Sequence, residues 1–132
     1  MTVMELAAAL GDAIADEAVV KELREAQAAY DACTAIQERL TEYNAQRKIM
    51  GDEFRKEVEK QDPDMLGLIK NRIDELGREI VSYPEYSRLL EAQKALQALM
   101  TKVNSEISYR VFGVRPEENS CTHDCSTCGG CH

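Results

Sequence analysis

The chain has 132 residues and a formal net charge of −8, from 16 basic and 24 acidic side chains. One domain with a short tail fits that length, which leaves no room for a large catalytic barrel. The acidity, with Lys and Arg interleaved among Asp and Glu as in Arg47-Lys48 before Asp52-Glu53, disfavours direct binding to a phosphate backbone.

Ala, Glu, Lys, Leu and Arg supply well over a third of the chain, and there are five Tyr, two Phe and no Trp. That mixture favours long helices around an aliphatic core. Residues 3–15 are alanine-rich and helical in pattern. Asp16 is read as the N-cap of a second segment, 17–30, in which Ala18, Val19, Leu23, Ala26 and Tyr30 recur at helical spacing. Asp31 is read as the cap of a third and longest helix, near 32–60, with Ile36, Leu40, Tyr43, Met50, Phe54 and Val58 on one stripe. Arg47 interrupts that stripe. Snorkelling at the end of the bundle is the favoured reading, over an ion pair across an interface.

Asp62-Pro63 ends the third helix, because the residue before proline avoids the helical region. Asp64 is read as the cap of a fourth, 65–82, with Met65, Ile69, Ile73, Leu76 and Ile80 on one face. Tyr83-Pro84 breaks the chain again, and a fifth helix runs from Pro84 to about Phe112. Residues 107–114 also alternate as a strand would, but a strand without a partner is unstable, so helix is preferred. The expected fold is all-α: an antiparallel helical hairpin or bundle of about five helices, three of them long. The stripes must be buried against one another or against a second chain.

No catalytic constellation is visible in residues 1–113. Both histidines, His123 and His132, lie beyond it, and no Glu-x-x-His pair of a di-iron bundle occurs. Cys33, three residues before Ile36 and four after Ala29, falls on the core stripe and reads as a small buried hydrophobe, so that Cys33→Ser would destabilise the domain. No run of apolar residues is long enough to span a membrane, and the start, Met1 to Leu6, lacks the basic region of a signal peptide. A cytoplasmic location is the expectation, and there thiols stay reduced and clustered ones bind metal.

The second segment, 114–132, contains no aliphatic or aromatic residue after Val114. It cannot offset its ordering entropy by apolar burial and is expected to order only around a bound metal. Cys121, Cys125, Cys128 and Cys131 are spaced Cys-x3-Cys-x2-Cys-x2-Cys. Disulfide pairing, a metal-free tail, zinc and an iron–sulfur cluster all remain open, with the cluster favoured. Structural zinc usually takes two knuckles a dozen or more residues apart, whereas closely spaced thiolates reach different irons of one cubane. The bacterial ferredoxin run is this spacing reversed. The first three cysteines also match the triad of radical enzymes that use S-adenosylmethionine, but the barrel those enzymes need is missing.

Asp-capped helices, the break Ser82-Tyr83-Pro84-Glu85-Tyr86 and the ending SCTHDCSTCGGCH together resemble the YlbF/YmcA family of bacterial regulators. The resemblance implies a non-catalytic, all-helical cytosolic protein that works in complexes and is linked to competence, sporulation and biofilm formation. It implies association with a paralogous chain, or a homodimer, and with a PSP1-domain protein. It also implies an influence on mRNA maturation by a membrane-bound endoribonuclease. By the same resemblance Cys121, Cys125, Cys128 and Cys131 would hold a 4Fe–4S cluster; His123 and His132, within the same run, are read from the sequence as substitute ligands. The alternatives are a zinc-stabilised structural interaction protein and a small electron-transfer protein.

Overall fold

The computed structural model describes residues 1–114. Five helices follow in order: α1 (Val3–Ala15), α2 (Ala18–Ala32), α3 (Thr34–Phe54), α4 (Pro63–Val81) and α5 (Pro84–Phe112), with a 3-10 turn (Val58–Lys60) between α3 and α4. No strand occurs among the described residues, and 107–112 are helical. The all-α expectation holds.

Each boundary has a local cause. Thr2 and Glu5 form a capping box at the start of α1, with Glu5 N–H donating to Thr2 Oγ1 at 3.1 Å and Thr2 N–H to Glu5 Oε2 at 2.9 Å. Asp16 does not cap α2. It closes α1, and Glu17, without a side-chain bond, opens α2. The next break falls at Cys33 rather than Asp31, in extended backbone with ψ 97°. Gln37 reaches back over it, donating from Nε2 to the Tyr30 carbonyl at 3.1 Å, which also accepts the Cys33 N–H at 3.2 Å, so the last turn of α2 is tied to α3 across the junction.

α3 is 21 residues long and ends at Phe54, six residues short of the expected end, so α5 with 29 residues is the longest helix. The apolar spacing runs on to Val58, but the chain has already turned, leaving Phe54 and Val58 exposed. Gln61 holds the turn by donating from Nε2 to the carbonyls of Phe54 and Lys56. α4 is capped by Asp62, not Asp64. The Asp62 carboxylate accepts from the N–H groups of Asp64 and Met65, both at 3.1 Å, and Pro63 takes the first helical position, where a missing N–H costs nothing. α5 opens on Pro84, as its sequence requires.

The chain divides into two compact units, the first being Met1–Gln93. Within it α3 and α4 form an antiparallel pair, and α2 packs against the first turns of α5. Partners step in opposite directions along the sequence: Glu22 with Arg88, Arg39 with Glu79, Glu42 with Arg72, and Glu53 with Asp62. Ile36 and Leu76 are the largest fully buried side chains, and Ile69 and Ile80 join them. At the other level Ala26, Leu89 and Ala92 are buried, with Leu23 and Tyr30 packed against them. α1 lies sparsely on α2 and buries none of its residues.

From Lys94 onward the described chain is the remainder of α5. Arg110 pairs with Glu106 one turn earlier at 2.9 Å. Gly113, at φ 78°, closes the helix by donating its N–H to the Tyr109 carbonyl at 2.7 Å, a left-handed conformation that glycine adopts without steric cost.

Candidate functional site

The sequence-predicted ligands Cys121, Cys125, Cys128 and Cys131, and the substitutes His123 and His132, lie outside the described residues, as does the expected metal-dependent ordering of 115–132. Among the described residues no group of three or more His, Cys, Asp or Glu side chains could hold a metal ion. Cys33 stands half-buried at the α2–α3 junction rather than within a core stripe.

Between α3 and α4 a groove of about 280 Å³ is lined by Glu38, Arg39, Glu42, Arg72, Leu76 and Glu79. Arg39 Nε donates to Glu79 Oε2 at 2.8 Å, and its guanidinium lies over the Tyr83 ring, 5.4 Å from the centroid. Arg72 forks onto Glu42, with Nη2 to Oε1 at 2.8 Å, and also meets Glu75 at 3.1 Å. The bidentate bond to Arg72 holds the Glu42 carboxyl below its ordinary range against the opposing effect of burial. Both guanidiniums are thus engaged by carboxylates of the groove itself. The cluster fixes helix register, and a bound anion would have to displace those partners.

Sequence reasoning missed Glu53. It is only 4 % exposed, yet it carries a carboxylate at the hairpin turn. Its Oε2 meets Lys56 Nζ at 2.8 Å and its Oε1 accepts the Asp62 N–H at 2.9 Å. The bond to Lys56, then the one from the Asp62 backbone, lower its pKa, outweighing desolvation. The available signal was the i, i+3 pairing with Lys56 just ahead of an Asp-Pro cap. Arg47, flagged as an interruption of the stripe, is exposed and lies over the Tyr43 ring, 5.7 Å from the centroid.

A second surface is the face of α2 and α5. One groove, about 460 Å³, is lined by Leu23, Arg24, Gln27, Ala28, Asp31 and Gln93. A neighbouring hollow of about 320 Å³ shares Gln27 and Gln93 and adds Tyr30, Tyr86, Leu89 and Leu90. Gln27 donates from Nε2 to Asp31 Oδ1 at 2.9 Å. Burial, then the neighbouring Tyr86 and Asp31, push the Tyr30 hydroxyl up from its ordinary value. No histidine lies within the described residues, and Cys33 has no basic partner there that would make it a nucleophile.

The antiparallel pairing of α3 with α4, cross-linked by the Arg39–Glu79 and Arg72–Glu42 bridges, makes the first unit an all-α helical hairpin. No helix among those residues is long and apolar enough to cross a membrane. The chain belongs to the YlbF/YmcA family, described as control of the competence regulator ComK, whose family model matches residues 3–111. No curated protein and no solved structure matches it.

Proposed function

We propose that this chain is a non-catalytic regulatory adaptor of a cytoplasmic protein complex, with a helical hairpin that docks partners and terminal cysteines that hold a 4Fe–4S cluster. The observation that carries the adaptor reading is how little the hairpin buries. Ile36 and Leu76 are its largest fully buried side chains, while Ile49, Phe54, Val58 and Leu68 stay exposed. A chain that leaves so many large apolar groups on its surface is suited to association. Family membership supports a regulatory role, and the partners this reading names are a paralogous chain, a PSP1-domain protein and an endoribonuclease whose action on mRNA the complex influences.

The chemistry of the donor set fits the cluster. Cys121, Cys125, Cys128 and Cys131 supply four thiolates within 11 residues, and Gly129-Gly130 offers no Cβ to obstruct a tight wrap. A bound cluster would supply a redox- and oxygen-sensitive centre. The chain's own part is to present thiolates in place of a core the segment cannot build. The same donors suit zinc, which is the second reading.

Purification without oxygen tests the proposal. Brown protein with iron and acid-labile sulfide, lost in Cys125→Ser and Cys128→Ser, is the expected result. Colourless protein with stoichiometric zinc selects the second reading, and protein without bound metal overturns both.

A further inference from the structure

We infer that the last two turns of α5 are the apolar cover of the cysteine run 121–131 when it holds its cluster, with Ile107, Val111 and Phe112 keeping water from the site. The inference rests on the cluster reading above and supplies the surroundings that reading lacks. Ile107 is 46 %, Val111 66 %, Phe112 77 % and Val114 45 % exposed. Ile107 and Val111, four residues apart, stack on one face of α5 and continue the line of Met100 and Val103. Glu106 and Arg110, bridged at 2.9 Å, lie to one side of that line and leave it without a charge. Large apolar groups gathered at one helix end make a patch, unlike single exposures scattered over a surface.

Chain length decides the occupant. Gly113, in the left-handed conformation, ends α5 beside the patch, and only Arg115 to Ser120 separate Val114 from Cys121. That connection spans at most about 24 Å when extended. Two helical turns rise about 11 Å, so the cysteine run can return over the patch with length to spare. Joined through so short a connection, it meets the patch at roughly millimolar effective concentration, ahead of a second copy or a foreign protein. The chemistry agrees. The shell around an iron–sulfur site sets its access to water and its potential. Residues 115–132 have no aliphatic or aromatic side chain with which to build that shell, and the nearest in sequence are Val114, Phe112 and Val111.

Hydrogen exchange and cluster lifetime in the full chain test this. Wild type loaded without oxygen is expected to protect the backbone amides of 107–112, at an otherwise fraying helix end, relative to the apo protein. Cys125→Ser is expected to abolish that difference. Ile107→Gln/Val111→Gln is expected to take up iron and sulfide with helix content retained, since both positions are exposed, and to lose its visible absorbance in air about tenfold faster than wild type. Phe54→Gln/Val58→Gln, which removes two exposed apolar groups from the hairpin turn instead, is expected to match wild type. Equal lifetimes for the α5 variant and wild type, or exchange at 107–112 that loading leaves unchanged, overturn the inference and leave the cluster standing. One cluster per two chains overturns it too, since the site would then lie between copies. Wild type that holds no iron and sulfide refutes the cluster reading itself, and the cover falls with it.

Discussion

Glu53 and Asp62 close the hairpin turn as a relay. The Glu53 carboxylate accepts the Asp62 backbone N–H at 2.9 Å, and the Asp62 carboxylate in turn accepts the first free N–H groups of α4. The last turn of α3 thereby sets where α4 begins. The relay also explains a buried acid in so small a core, since Lys56 and a backbone donor satisfy both of its oxygens.

Glu53→Ala is therefore expected to lower Tm by several degrees, because it leaves the Asp62 N–H and Lys56 without their acceptor. Glu53→Gln keeps one acceptor oxygen and is expected to cost less. Thermal melts of the two variants check the order, and equal losses would refute the relay.

Asp62→Ala is expected to cost about 1 kcal/mol, the worth of a helix N-cap. Asp64→Ala is expected to cost much less, because Asp64 contributes its backbone N–H rather than a cap. Urea unfolding of the two variants distinguishes them.

In the core, Leu76→Ala is expected to destabilise by about 2–5 kcal/mol, as it empties a fully buried site facing α3. Leu68→Ala, on the same helix but 71 % exposed, is expected to have little effect on the monomer. Chemical denaturation measures both.

Acid is expected to loosen the hairpin. Glu22, Glu42 and Glu53 all have pKa values lowered from the ordinary 4.5, by the Arg88, Arg72 and Lys56 bonds respectively. Their stabilisation is present above that unfolded value and is lost as pH falls through the lowered folded values. Tm should hold near neutrality and fall below about pH 4.5, and Glu42→Gln should flatten that acid limb. A Tm independent of pH in this range would refute the assignment.

Cys33→Ser is expected to be neutral or to stabilise by up to about 1 kcal/mol. Cys33 is the uncapped N-cap of α3 in extended backbone, where a serine hydroxyl can accept an N–H of the first turn. This reverses the loss expected from the sequence. Metal content should be unchanged in the same protein.

The two proline breaks were legible because proline acts locally: it lacks an N–H and restricts its predecessor. Ile36, Ile69, Leu76 and Ile80 were likewise legible from helical spacing. The end of α3 was not, because Phe54 and Val58 keep the spacing after the chain has turned, and the turn is set by Glu53 and Gln61 from nine and five residues away or more. Asp16 and Asp31 misled for a related reason. Acidic residues near a boundary suit a helix start, but extended backbone at Glu17 and Cys33 decided it. The paired arginines were invisible because register between α3 and α4 is a tertiary property. The cysteine run was evident in the sequence and lies outside the described residues.

The breaks at Cys33 and at Ser82-Tyr83 stand at the same height on the two arms, as Arg39 reaching Tyr83 indicates. A continuous helix resists bending through its ladder of backbone bonds, and here both ladders are interrupted side by side. The hairpin is thus built in two segments that meet where both arms are broken. The pair of α3 and α4, locked by Arg–Glu bridges, meets the pair of α2 and early α5 at two chain breaks and across no continuous helix. Gln37 to Tyr30 and Arg39 to Tyr83 are the side-chain contacts that tie the two pairs together at those breaks.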